Sequence, residues 1–144
     1  MKKIKITVLA LIGLMAKSMV CKANENIVFA EDLPKDAKAF VQHNFPRLSI
    51  AFAEMRKTRQ GKVYEVSLND GTELVFSQNG AWGIVDCKLE AVPSSLIPAS
   101  LSSFVVSNFV CEDVVKLDRT DSGECVATLS NGVSLRFNNQ GQFA

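Results

Sequence analysis

Apolar residues recur along this chain with two periods, and the switches between them mark its elements. Ala37, Phe40, Val41 and Phe45 fall at i, i+3, i+4 and i+8, one stripe of a helix. Leu101, Phe104, Val105 and Phe109 repeat that spacing. Pro34 and Pro98 open the two helices, in the first turn, where a missing N–H is harmless. Pro46 closes the first, and Val110 stands at that place in the second. After each helix the period shortens to two. Tyr64, Val66 and Leu68 alternate with Val63, Glu65 and Ser67, as in a half-buried strand. Strands are expected over 49–57, 62–69, 72–77 and 81–86, then over 113–121, 124–130 and 133–138, with a stub at 142–144.

Facing decides the turns. A three-residue loop, Asn69-Asp70-Gly71, sets Leu68 opposite Thr72, Val66 opposite Leu74 and Tyr64 opposite Phe76, which keeps the apolar residues on one face. Such a loop wants a type I turn followed by a left-handed glycine. Gly80, Gly132 and Gly141 fit the same rule, which brings Phe76 to Trp82 and Phe137 to Phe143.

The two stretches read as copies of one unit. Leu33-Pro34, Phe40, Phe45 and Ile50 recur 64 residues later as Ile97-Pro98, Phe104, Phe109 and Val114. Leu68, Gly71, Leu74, Phe76 and Gly80 recur 61 residues later as Leu129, Gly132, Leu135, Phe137 and Gly141. The expected fold class is therefore α+β: a tandem repeat of helix plus four-stranded antiparallel sheet, the second unit truncated at its last strand. The units span 33–90 and 91–144, after an N-terminal extension at 24–32. Each helix covers one sheet face. That face takes Ala51, Ala53, Tyr64, Val66, Leu68, Leu74, Phe76, Trp82 and Ile84, then Val115, Leu117, Cys125, Ala127, Leu129, Leu135, Phe137 and Phe143. A lone unit of roughly 55–60 residues would have a marginal core, so the two are expected to join.

The first 23 residues stand apart as a secretory signal, with Lys2, Lys3 and Lys5 ahead of the apolar run 7–16. That run is too short to cross a bilayer, which takes about 20 residues. Cleavage is expected after Ala23, giving a periplasmic or extracellular chain without a membrane span. Lipid anchoring through Cys21 is disfavoured because Val20 precedes it. From Asn24 onward the chain holds eleven basic and fifteen acidic residues, a mildly acidic balance that excludes phosphate-backbone binding.

The order of Leu-Pro before a helix, a strand ending in Asn-Asp-Gly or Ser-Asn-Gly, then Leu-x-Phe, then Gly-x-Trp or Gly-x-Phe, resembles the PepSY-like, beta-lactamase-inhibitor-like secreted proteins of Bacteroidetes. The resemblance runs from about Leu33 to Ala144 and implies tandem helix-plus-sheet units outside the cytoplasm. It further implies inhibition through protein binding. It transfers no contact residue.

Catalytic equipment is sparse. His43, the single histidine, lies off the apolar stripe, and no Gly-x-Ser-x-Gly turn supports a serine. No C-x-x-C motif is present, and neither metal nor cofactor is expected. Cys125 takes the place of Tyr64 and reads as a buried small residue. Cys87 and Cys111, both at element ends, are the pair placed for a disulfide. Arg56, Lys57, Arg59 and Lys62 crowd one hairpin, while its counterpart carries Asp118, Arg119, Asp121 and Glu124. Either hairpin serves as a solvated turn, and the basic one also as a patch for an acidic protein or a glycan.

The face left bare by the helices is the expected contact surface. Phe52, Glu54, Val63, Glu65, Glu73, Val75 and Val85 are assigned to it in the first unit, and Lys116, Asp118, Val126, Thr128, Ser134 and Arg136 in the second. Phe52, Glu54, Glu65, Val75, Lys116, Val126 and Arg136 are the candidate partner-binding residues. Phe52 is the sharpest, because its counterpart is Lys116 and the repeat does not demand an aromatic there. The chain is thus expected to be a secreted, non-enzymatic protein-binding module that regulates an envelope hydrolase or peptidase. The alternative is a small-ligand or signal-sensing module, which needs a pocket between helix and sheet or between units.

Overall fold

The computed structural model describes residues 26–143; the expected signal segment and the final residue of the stub lie outside them. Two helices, α1 (Lys35–Asn44) and α2 (Ala99–Asn108), accompany seven strands. These are β1 (Ile50–Thr58), β2 (Gly61–Leu68), β3 (Glu73–Ser77), β4 (Trp82–Asp86), β5 (Val114–Arg119), β6 (Cys125–Leu129) and β7 (Ser134–Phe137). All seven form one antiparallel sheet in chain order. The molecule is α+β, and the expected pair of sheets is one sheet, continuous through β4 and β5.

The helices begin where the prolines put them. Pro34 and Pro98 flank the first helical residue, and their carbonyls accept the Lys38 and Ser102 N–H at 3.1 and 3.0 Å. Each helix ends on a phenylalanine, Phe45 or Phe109, whose N–H bonds back to Val41 or Val105 at 2.8 Å. Both lie on one sheet face. Ala37 and Val41 of α1 join Leu101 and Val105 of α2 in a single core with Ala53, Val66, Leu74, Val85, Leu117 and Ala127. Phe40 meets Phe76 edge-on at 5.4 Å, and Phe104 lies 4.1 Å from Phe143.

The turn register follows the facing argument. Val66 opposes Leu74, Tyr64 opposes Phe76, and the Leu68 N–H bonds the Thr72 carbonyl at 2.8 Å. Gly71 takes the left-handed conformation at φ +95°. Phe76 pairs with Trp82, and the end of the chain contributes one bridge, Phe137 with Phe143, rather than a strand.

Bulges overturn several facing assignments. One between Ile50 and Phe52 turns Ala51 out to solvent instead of into the core. A second, between the Phe76–Trp82 and Val75–Ile84 pairs, inserts Gly83 into β4. It moves Ile84 to the bare face and Val85 into the core, where Val85 is fully buried. An extra residue in one strand reverses every side chain beyond it. A third bulge lies between Val114 and Lys116: Val114 joins the core, and Val115, assigned to the covered face, is buried outside that core.

Candidate functional site

Among the described residues no helix lies on the other face of the sheet. Opposed residues share a face, so the register defines rows that run across all the strands. One row is Glu54, Glu65, Val75, Ile84, Asp118, Val126 and Arg136. The row beside it is Phe52, Ser67, Glu73, Asp86, Lys116, Thr128 and Ser134. All seven candidate binding residues fall in these two adjacent rows. Sequence reasoning missed Ile84, at the centre of the first. The available signal was Gly83, since a glycine inside a strand marks a bulge.

The surface mixes apolar and charged side chains: Val75 and Ile84 are neighbours in the first row, and Asp118 separates them from Val126. Val75, Ile84 and Val126 are half-buried, and Phe52, on the edge strand β1, is 41% exposed. Glu54, Glu65, Glu73 and Asp86 make the β1–β4 part acidic, whereas Lys116 and Arg136 offset Asp118 on β5–β7. Arg56 pairs with Glu65, Lys88 spans Glu73 and Asp86 at 3.1 and 3.4 Å, and Arg136 meets Glu124 at 3.1 Å. The hydrogen bond to Glu73 raises the Lys88 pKa. These exposed pairs add little stability. Glu54 lies directly opposite Glu65, an unfavourable like-charge pairing, and among the described residues neither Glu54 nor Lys116 has an ion-pair partner. Phe52, Glu54, Glu65, Ser67, Glu73 and Val75 wall a hollow of about 140 Å³ between the first three strands.

The remaining sequence candidates lie elsewhere. His43 is exposed on α1. Cys87, Cys111 and Cys125 are free thiols, the first and last buried and Cys111 exposed. Burial pushes the Cys87 thiol up to about 11, with a hydrogen bond from Thr72 acting against it, and it raises Cys125 as well. Arg119 reaches from β5 back to β4. Its guanidinium lies 3.9 Å from the Trp82 ring centre and donates to the Trp82 carbonyl at 2.7 and 3.2 Å. Desolvation lowers its pKa. Among the described residues no helix is long and apolar enough to cross a membrane, and no cluster of metal-ligating side chains is present.

A family model described as beta-lactamase-inhibitor-like, PepSY-like matches residues 62–144. Among solved structures the chain is similar to a protein from Bacteroides vulgatus described as periplasmic, at 30% identity and a TM-score of 0.76, covering 82% of this chain and 92% of that one. A protein from Bacteroides thetaiotaomicron described as calcium-regulated and periplasmic is 28% identical, with a TM-score of 0.78 and coverage of 83% and 93%. A second Bacteroides vulgatus protein, described as periplasmic and of unknown function, is 31% identical, with a TM-score of 0.77 and coverage of 82% and 94%. No curated protein matches the chain.

Proposed function

Because this chain belongs to the beta-lactamase-inhibitor-like, PepSY-like family, we propose that it is a periplasmic, non-enzymatic module that grips a protein partner with its bare sheet face. An envelope hydrolase or peptidase held in check by that contact is the partner class the reading favours. The observation that carries it is the face itself: seven strands wide, free of helices among the described residues, with Val75, Ile84 and Val126 set among charged side chains and Phe52 at 41% exposure. Exposed aromatics ringed by polar groups are frequent binding anchors. Solved relatives described as periplasmic support the location, and secretion by the segment up to Ala23 completes the reading.

The same reading takes 33–90 and 91–144 as two copies of one unit. In support, both helices are ten residues long, and the bulges at Ala51 and Val115 recur at matched places. Duplication widens the face beyond what one unit provides.

The test is capture from the native envelope with the mature chain as bait. A specific hydrolase or peptidase should be retained, inhibited on addition of the chain, and lost with Phe52→Ala and Val126→Lys. Truncating an interface anchor costs at least about 2 kcal/mol, or roughly thirtyfold in affinity. Affinity unchanged in both variants would overturn the assignment of the face.

A further inference from the structure

The structure holds a second recognition surface at the open end of the β4–β5 seam, which meets the bare face at Val75, Ile84 and Asp118, and we propose that it binds a neutral oligosaccharide. β4 and β5 pair at only three positions, Ile84 with Asp118, Val85 with Leu117 and Asp86 with Lys116. Beyond Ile84 the ladder stops, although β4 begins at Trp82 and β5 runs on to Arg119. A cleft of about 1330 Å³ opens there, bounded by the turns of both halves of the sheet and by the start of α2.

Three features of the lining select the ligand. The first is charge: Lys62 and Arg119 balance Asp118 and Asp121, so the cleft favours neither anions nor cations. The second is its polar chemistry. Gln60, Gln78, Asn79, Asn138, Asn139 and Gln140 line it. A carboxamide both donates and accepts, which matches the adjacent hydroxyls of a sugar ring. Gln78 and Asn79 are fixed through their oxygens, which accept the Lys62 and Ala81 N–H at 3.2 and 3.5 Å and leave the NH2 groups to donate. The side chains of Gln60, Asn139 and Gln140 make no hydrogen bond among the described residues.

The third feature is the wall, where Ile84 and Val63 line the cleft and the Arg119 guanidinium stacks over the Trp82 ring at 3.9 Å from its centre. Ile84 and Val63 give the C–H faces of a saccharide an apolar surface, in keeping with sites that combine apolar walls and a few oriented polar groups. The same stack argues against an added peptide strand. Arg119 already occupies the Trp82 carbonyl, the acceptor such a strand would need at this point.

Trp82 is the single tryptophan, so its emission reports the cleft alone. Titration with the N-acetylglucosamine tetramer and with maltoheptaose should give a saturable emission change with at least one of them. The side-chain amide NMR signals of Gln60, Asn139 and Gln140 should shift with it. Asn139→Ala combined with Gln140→Ala should weaken binding about tenfold or more, the value of roughly one hydrogen bond, with the melting temperature unchanged. Phe52→Ala should leave sugar binding intact, which separates this site from the protein-binding face. Silence with both sugars up to millimolar concentration would overturn the proposal. So would a response to a Gly-Ser tetrapeptide but to neither sugar, or shifts confined to Phe52 and Val126.

Discussion

Cys87 is 4% exposed just after β4, and its thiol is held neutral by burial, with a pKa of about 11 against an ordinary 9.0. The unfolded chain therefore ionises this thiol first as the solution becomes alkaline. Its contribution to stability is intact below pH 9 and disappears as the pH climbs toward 11. The loss at that one residue amounts to about 2–3 kcal/mol. Urea unfolding at a series of pH values should show wild-type stability falling above pH 9, and Cys87→Ala, though weaker at neutral pH, should fall less steeply. Accessibility gives a second check. Maleimide labelling of the native chain should modify Cys111 and spare Cys87 and Cys125 until the fold is opened. A Cys87–Cys111 disulfide would leave neither of those two to label. The burial of Cys125 was legible because it falls where Tyr64 stands in the other stretch. The swap of Ile84 and Val85 escapes strict alternation, which assumes that no residue is inserted; only Gly83, the inserted residue, marks it in the sequence.

At the level of elements, the glycine turns differ in what they tolerate. Gly71 and Gly80 both take positive φ, at +95° and +89°, so any other residue is strained at either place. Around Gly71 the space for a side chain is open, whereas a Cβ on Gly80 would come within 2.8 Å of Asp36 Cβ and 3.0 Å of the Ala37 N. Gly80 thus lets the β3–β4 turn press against the start of α1. Gly71→Ala should cost about 1–2 kcal/mol from backbone strain alone. Gly80→Ala should cost clearly more, read as a lower urea midpoint, because α1 must also back away. Equal losses would mean that α1 yields freely. Turn type and strand pairing were readable from sequence, since keeping Val66, Leu74, Tyr64 and Phe76 on one face admits a single loop length. The contact between turn and helix was not readable, because nothing local to Asn79-Gly80 records which helix lies above it.

For the whole molecule, the question is whether the two halves fold together. The seam between them is short, with three residue pairs between β4 and β5. Yet it is buried, for Val85 and Leu117 oppose each other there with no exposed surface. Hydrogen bonds from the Cys87 N–H to the Val115 carbonyl at 2.9 Å, and from Val92 to Val114 at 2.8 Å, carry the ladder into the connecting segment. One hydrophobic core draws on both helices and on strands of both halves. A seam of that kind makes unfolding of either half expose the other's core, so one cooperative transition is expected. Two local probes test this: the emission of Trp82 in the first half and the reactivity of buried Cys125 in the second. They should report the same denaturant midpoint. Leu117→Ala should lower that shared midpoint, by about 2–5 kcal/mol in stability, while the two probes stay together. Separate midpoints would make the halves independent domains, and the broad bare face would then be two smaller ones joined by a hinge.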